Sequence, residues 1–370
     1  MRWIKSPAWD LVWVLNALWL APLVFFLARG HADVRTSPVD SLFFVLAVPL
    51  WFGHRVSSAW LAYATPAYRP LLASQRARFV AAPLAIAAAC FAVLLAPERL
   101  LPLPLTERVL WLTALDYLLV SYHFAAQHFG VLSLYRLRAG GTADAATRRL
   151  DRWFALVVGG GIVVVADALS GSIALQERWV DPWLGASLSG ALAQRLHDGG
   201  IAFVALATAL MLIGELRSQR PSLQRAAYVL SVSAMVLVAF LARDPFLFIV
   251  LWSVQHWSAA VGLTSLAAAG DGEESNAGWI NRRSWAVVLV LAVLSALLLP
   301  LLEVEAVTDE YAYADRLFGH AALWLRHSPW VPPLLALGFA TGFIHYLLDR
   351  AAYRFSSPDV RQAARGLLGS

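Results

Sequence analysis

Ten apolar stretches of about 20 residues or more, set apart by turn-forming and charged residues, constrain this chain more than any other feature. They run over residues 9–28, 39–64, 79–96, 107–136, 151–170, 199–216, 225–243, 245–268, 284–302 and 331–350. At 1.5 Å per residue, such lengths match a hydrocarbon layer about 30 Å thick. Lipid offers the backbone no hydrogen-bond partner, so runs of this length must be helices. The expected fold is therefore all-α, a polytopic integral membrane helical bundle of about ten transmembrane helices, forming a single membrane domain over 1–370. Composition excludes a soluble globule, because 59% hydrophobic and 14% charged residues, with a mean hydropathy of +0.63, leave too little polar surface.

Ten spans return the C-terminus to the side of the N-terminus. Nineteen of the 29 Lys and Arg residues fall on that side, nine fall opposite, and Arg55 lies within the second span. The positive-inside rule then predicts cytoplasmic termini, in a multi-pass protein of the bacterial cytoplasmic (inner) membrane. Basic cytoplasmic loops also account for the formal charge of +5, so no nucleic-acid partner is implied. Ala139 to Arg149 and Gly270 to Asn281 read as flexible inner loops. On the outer face, Ser172 to Asp198 and Glu303 to Trp330 are long enough for short interfacial helices, with Trp179, Trp183, Trp324 and Trp330 suited to an aromatic belt. Met1 to Ala28 continues as a normal first span and does not read as a cleavable signal. Cys90 is the only cysteine, which rules out an intrachain disulfide and a thiolate metal cluster.

Against this background the histidines stand out. His31, His197, His320 and His327 fall in outer loops, where exposure is the default. His54, His123, His128, His256 and His345 lie inside spans, where ionisable side chains are expensive. The second, fourth, eighth and tenth spans all run from outside to inside. Their histidines occupy the middle or inner half, at depths that differ by roughly 12 Å at most. Four bundled helices would converge these imidazoles on one or two sites.

Helical geometry restricts the partners. His123 and Gln127 lie one turn apart on one face, with Asp116 near that face two turns earlier. His128 points about 140° from His123, so the two cannot chelate one ion on a regular helix without a π-bulge. His345 and Asp349 are spaced for a shared ion, or for a carboxylate that holds the imidazole tautomer. Gln255 faces away from His256 and is expected to tie helices together. Arg55 is placed to snorkel or to neutralise Asp349, and Asp10 and Asp167 read as end-of-span residues. Trp252, Trp257 and Phe129 flank the histidines and could wall an apolar pocket. Each of these residues also has an ordinary role, since polar side chains hydrogen-bond between membrane helices; recurrence at one depth is what favours a site.

Three function classes fit. Histidines with one or two carboxylates bind non-haem iron, and a lipophilic substrate enters from the bilayer, because imidazole and carboxylate suit iron while thiolate is absent. Alternatively, histidine pairs ligate b-type haem for electron transfer, or His, Asp, Gln and Arg line a proton-coupled or solute-transport path. Fatty-acid desaturases and hydroxylases carry HxxxH and HxxHH boxes, which this chain lacks.

The stretch HFAAQHFG (His123 to Gly130), the isolated His54 and the Gln255–His256 pair resemble the bacterial and archaeal carotene-cleaving membrane dioxygenases, whose single histidines on several helices gather around one iron. The resemblance implies an iron-dependent oxygenase or related oxidoreductase acting on an isoprenoid or other lipid. His54, His123, His128, His256 and His345 are then the metal-ligand candidates. Asp349 would be the carboxylate ligand or outer base, and Gln127 and Tyr122 would orient ligand or substrate. The expected partners are a lipophilic small molecule and membrane lipids.

Overall fold

The computed structural model describes residues 3–31, 36–141, 144–171, 190–269, 283–302 and 328–368. Among them the regular structure is helical throughout, and eight helices are long and apolar enough to cross a membrane. The protein is a polytopic helical membrane protein, as its hydropathy requires. Each of the ten expected segments carries a helix. The first is a pair, α1 (Pro7–Trp13) and α2 (Ala17–Ala28), bent by 47° at the break between them. Next come α3 (Pro38–Ala59), the short α4 (Arg69–Ser74), α5 (Ala82–Leu95) and the 34-residue α6 (Leu105–Arg138). They are followed by α7 (Ala145–Phe154), α8 (Ile162–Gly171), α9 (Gly190–Leu216), α10 (Leu223–Ala242) and α11 (Pro245–Ala269). The chain ends with α12 (Ser284–Leu302), α13 (Val331–Ala352), α14 (Pro358–Ala363) and α15 (Arg365–Leu368). Within α12 the apolar stretch is the shorter Ser284–Leu298.

Gly270 to Asn281, His320, His327, Trp179, Trp183 and Trp324 lie outside the described residues, as do 172–189 and 303–327 of the outer loops. The loop expected to end at Asp198 gives way to helix at Gly190. His197 is thereby moved from an exposed loop into α9. It is only 12% exposed, and its Nδ1 lies 2.9 Å from Asp167 Oδ1. Asp167 is thus the partner of His197 as well as an end-of-span residue.

The chain divides into two compact units, Met1–Phe43 with Ser121–His256 and Phe44–Val120 with Trp257–Ser370. In the first unit, α10 packs on α9 and α2, and α9 packs on α8. The break between α7 and α8 is built from a π-turn over Ala155–Gly159, with Gly160 and Gly161 following. Gly161 is left-handed at φ +76°, and a Cβ there would stand 2.6 Å from the Phe248 ring. Only glycine meets both demands. Asp10 does more than end a span. Fully buried, it accepts from the N–H groups of Ile4 and Lys5 and from the Tyr135 hydroxyl, at 2.9, 3.2 and 2.9 Å. Buried donors of a chain entering the membrane need such an acceptor.

The second unit is centred on α13 against α5. Cys90, Leu94, Val109, Leu335, Ala336, Phe339, Ala340 and Phe343 form its core. The small side chains of Ala336 and Ala340 let the helices approach closely, as dispersion packing in lipid requires. Where α3 ends, a π-turn over Trp60–Ala64 frees a carbonyl, and the Thr65 hydroxyl donates to Trp60 O at 3.2 Å. Arg108 is buried and donates to the carbonyls of Leu103 and Leu101 at 2.7 and 2.8 Å, closing the chain reversal before α6. Outward-facing Phe26, Leu84, Leu118 and Leu206 are exposed, as lipid-facing residues must be.

Candidate functional site

All five membrane histidines are buried. In the first unit, His123 on α6 and His256 on α11 bring their Nε2 atoms to 3.2 Å. Gln127, one turn beyond His123, fixes the second ring. Its Nε2 donates to the His256 carbonyl at 3.2 Å, which leaves Oε1 to accept from His256 Nδ1–H. That bond sets the tautomer, so His256 presents an Nε2 lone pair toward His123. Phe124 stacks on the His256 imidazole with centroids 3.7 Å apart, and Trp252 lies against Phe124 at 4.0 Å. An aromatic wall on this side therefore exists. Phe129 is not part of it; its ring lies under the Arg152 guanidinium at 5.2 Å.

α6 is α-helical over its described length, so His128 diverges from His123 as helix geometry requires. Its Nδ1 is 2.8 Å from the Tyr228 hydroxyl, and it also hydrogen-bonds the Gly159 backbone. A Cβ on Gly159 would stand 2.6 Å from the His128 ring, so this imidazole fills the space that the missing side chain leaves. Gln255 donates to Val14 O and to the Tyr228 hydroxyl at 3.3 and 3.4 Å, tying α11 to its neighbours as expected. Tyr122 is 50% exposed.

In the second unit, His54 on α3 and His345 on α13 have ligand atoms within 4.8 Å of each other, and so do His345 and Asp349. His54 Nδ1 is held by the Trp51 carbonyl. His345 Nδ1 is 3.0 Å from the hydroxyl of Ser58, which also hydrogen-bonds Asp349. A hydroxyl has one proton. If it donates to the carboxylate, it must accept from His345 Nδ1–H, and Nε2 becomes the ligating nitrogen. Asp349 Oδ1 itself stands 4.0 Å from His345 Nδ1, so the carboxylate works through Ser58. The Trp257 ring stacks over His54 at 5.8 Å and over Trp51 at 6.1 Å. Arg55 lies 5.9 Å over the Trp51 ring and, like Asp116, flanks Gly342, while Asp116 accepts from Tyr346 at 3.0 Å.

Three of the imidazoles, His54, His256 and His345, are therefore held through Nδ1 by an oxygen acceptor. Such fixing of tautomer and ring orientation is the usual environment of a metal-ligating histidine. The spacing fits as well. Two nitrogens bound to one ion at about 2.0–2.1 Å stand about 2.8–3.4 Å apart at octahedral to tetrahedral angles, and His123 and His256 stand at 3.2 Å. These buried histidine and carboxylate groups have the donor types and spacing to hold a metal ion. No protein-family model, curated protein or solved structure matches this chain.

Sequence reasoning did not single out Ser58, Tyr228 or the Trp51 carbonyl. Ser58 stands one turn after His54, a spacing that could have drawn attention. Tyr228 carries no local signal. A buried ion network was missed too. Arg225 lies between Glu215 and Asp151, and Arg136 reaches Asp151 at 3.4 Å.

Proposed function

We propose that the protein is a membrane-embedded, metal-dependent oxygenase or related oxidoreductase acting on a lipophilic isoprenoid or lipid substrate. The observation that carries this reading is the His123–His256 pair, with facing Nε2 atoms at ligand spacing and Gln127 fixing the His256 tautomer. His54 and His345 form the corresponding pair of the second unit, with Ser58 and Asp349 behind His345. Non-haem iron is the metal proposed, because imidazole with nearby carboxylate and no thiolate suits it. When bound, iron with open coordination positions supplies dioxygen activation. The chain's own residues hold the rings, exclude water with Phe124, Trp252 and Trp257, and leave the lipid as the route for an apolar substrate. The resemblance of the His123 to Gly130 stretch to carotene-cleaving dioxygenases supports that substrate class, and the arginine asymmetry supports a bacterial inner-membrane location with cytoplasmic termini.

A b-haem reading is disfavoured for the His123–His256 pair. Axial nitrogens on opposite sides of one iron would stand about 4 Å apart with a macrocycle between them. Elemental analysis with an optical spectrum of the purified protein decides. Iron without a Soret band supports the proposal, whereas a Soret band or a metal-free active protein sinks it.

A further inference from the structure

A second site lies in the first unit, at the ends of the spans and outside the histidine residues. A cavity of about 260 Å³ is lined by Arg138 and Gly140 from the end of α6, Arg220 from the turn before α10, and Ser222 and Gln224 at the start of α10. Two guanidiniums share it, and its lining holds no acidic side chain. Beside it, Glu215 accepts from Ser222 N at 2.6 Å and is matched by Arg225, while one nitrogen of the Arg138 guanidinium donates to Ile4 O and its charge is felt by Asp10.

Three features make the cavity a built receptor for an anion. Gln224 is 1% exposed and lines the cavity; its Oε1 accepts from Ser222, while its Nε2 has no hydrogen-bond partner. A buried donor left this way is costly unless something accepts from it. The cavity also faces the first turn of a 20-residue helix, the positive end of its dipole. Finally, Arg220 is positioned and not merely nearby. Its Nη1 donates to Gly140 O at 2.9 Å, and a Cβ on Gly140, at φ +71°, would stand 2.5 Å from that nitrogen.

The geometry points to a phosphate-binding site formed by Arg138, Arg220 and Gln224 at the membrane boundary. A tetrahedral oxyanion accepts from several directions at once, which suits two guanidiniums and an amide converging from different elements. Phosphate is the oxyanion found at that depth, as the headgroup of an anionic phospholipid or free in solution. The site separates the like charges of the two arginines and supplies the acceptor that Gln224 lacks.

Thermal unfolding of the full-length purified protein tests this in two arms: inorganic phosphate against chloride at matched ionic strength, and phosphatidylcholine bicelles with and without phosphatidic acid. A bound ligand raises the midpoint saturably. A rise with phosphate assigns a soluble source, and a rise confined to phosphatidic acid assigns the headgroup. In either case Arg220→Gln, at an exposed position, should raise the half-saturating concentration about tenfold or more, as loss of a charge-assisted bond implies. Gln224→Leu, of similar volume, should weaken binding in the same arm. No rise in either arm, an equal rise with chloride, or an unchanged response in Arg220→Gln overturns the proposal.

Discussion

The Nε2 atoms of His123 and His256 face each other at 3.2 Å, while His128, five residues along the same helix, turns away to Tyr228. One helix thus gives one imidazole to a candidate ligand pair and another to packing. His123→Ala and His256→Ala are each expected to abolish metal retention by this pair. His128→Ala is expected to keep the metal and to lower stability, by about 1–3 kcal/mol for the Tyr228 hydroxyl proton left without its acceptor and more for the space left at Gly159. Metal content and thermal unfolding of the three variants check this. Full metal and full turnover in His123→Ala would reduce the pair to interhelical glue.

Gln127 should tune the site without making it. Gln127→Leu removes the acceptor of His256 Nδ1–H and is expected to weaken metal affinity about 10- to 100-fold. Gln127→Glu keeps an acceptor there and should recover much of the loss. Competition with a chelator reads the difference, and equal affinities in all three proteins would refute the role given to the amide.

The helices were legible in the sequence and the pairings were not, for a physical reason. Hydropathy is a property of a segment, so every expected segment carries a helix, although among the described residues eight, or nine with the bent first pair, are long and apolar enough to span and α12 is shorter. The divergence of His123 and His128 was legible too, because it follows from 100° per residue on one helix. Which ring meets which depends on helix azimuth and neighbours, and no local pattern encodes those. Thus Ser58 behind His345 and Tyr228 behind His128 emerged only from the fold. Asp10 shows the same limit: its place near a span end was readable, but its role in gathering Ile4, Lys5 and Tyr135 was not.

Arg225, with side-chain exposure of 3%, is paired with Glu215 and Asp151, exposed 6% and 2%. Removing the cation strands the buried Glu215 carboxylate and leaves Asp151 with Arg136 alone. Arg225→Met is expected to destabilise the first unit by about 3–5 kcal/mol, seen as a lower unfolding midpoint or loss of expression. An unchanged midpoint would mean that water already solvates these acids.

At Gly161, alanine would meet both a left-handed backbone and the Phe248 ring. Gly161→Ala is expected to cost about 2 kcal/mol or more. Pairing it with Phe248→Leu separates the two causes, since only the steric part can be recovered. Full recovery would show that the backbone conformation contributes nothing.

A reporter active only outside the cytoplasm, fused after Ser370, should stay silent. Activity would overturn the even span count and the cytoplasmic placement of both termini, and with them the common depth inferred for the histidines.

The clamps on His54, His256 and His345 have an entropic consequence. A flexible ligand side chain surrenders roughly 0.5–1.5 kcal/mol of rotamer freedom when an ion captures it. Here the ring settings are already frozen by Trp51, Gln127 and Ser58 as the protein folds. At the His123–His256 pair, the proton shared by two neutral rings occupies the place an ion would take. Loading then becomes a tautomer change at nearly constant geometry, in which the His123 proton passes from Nε2 to Nδ1 while both rings stay neutral.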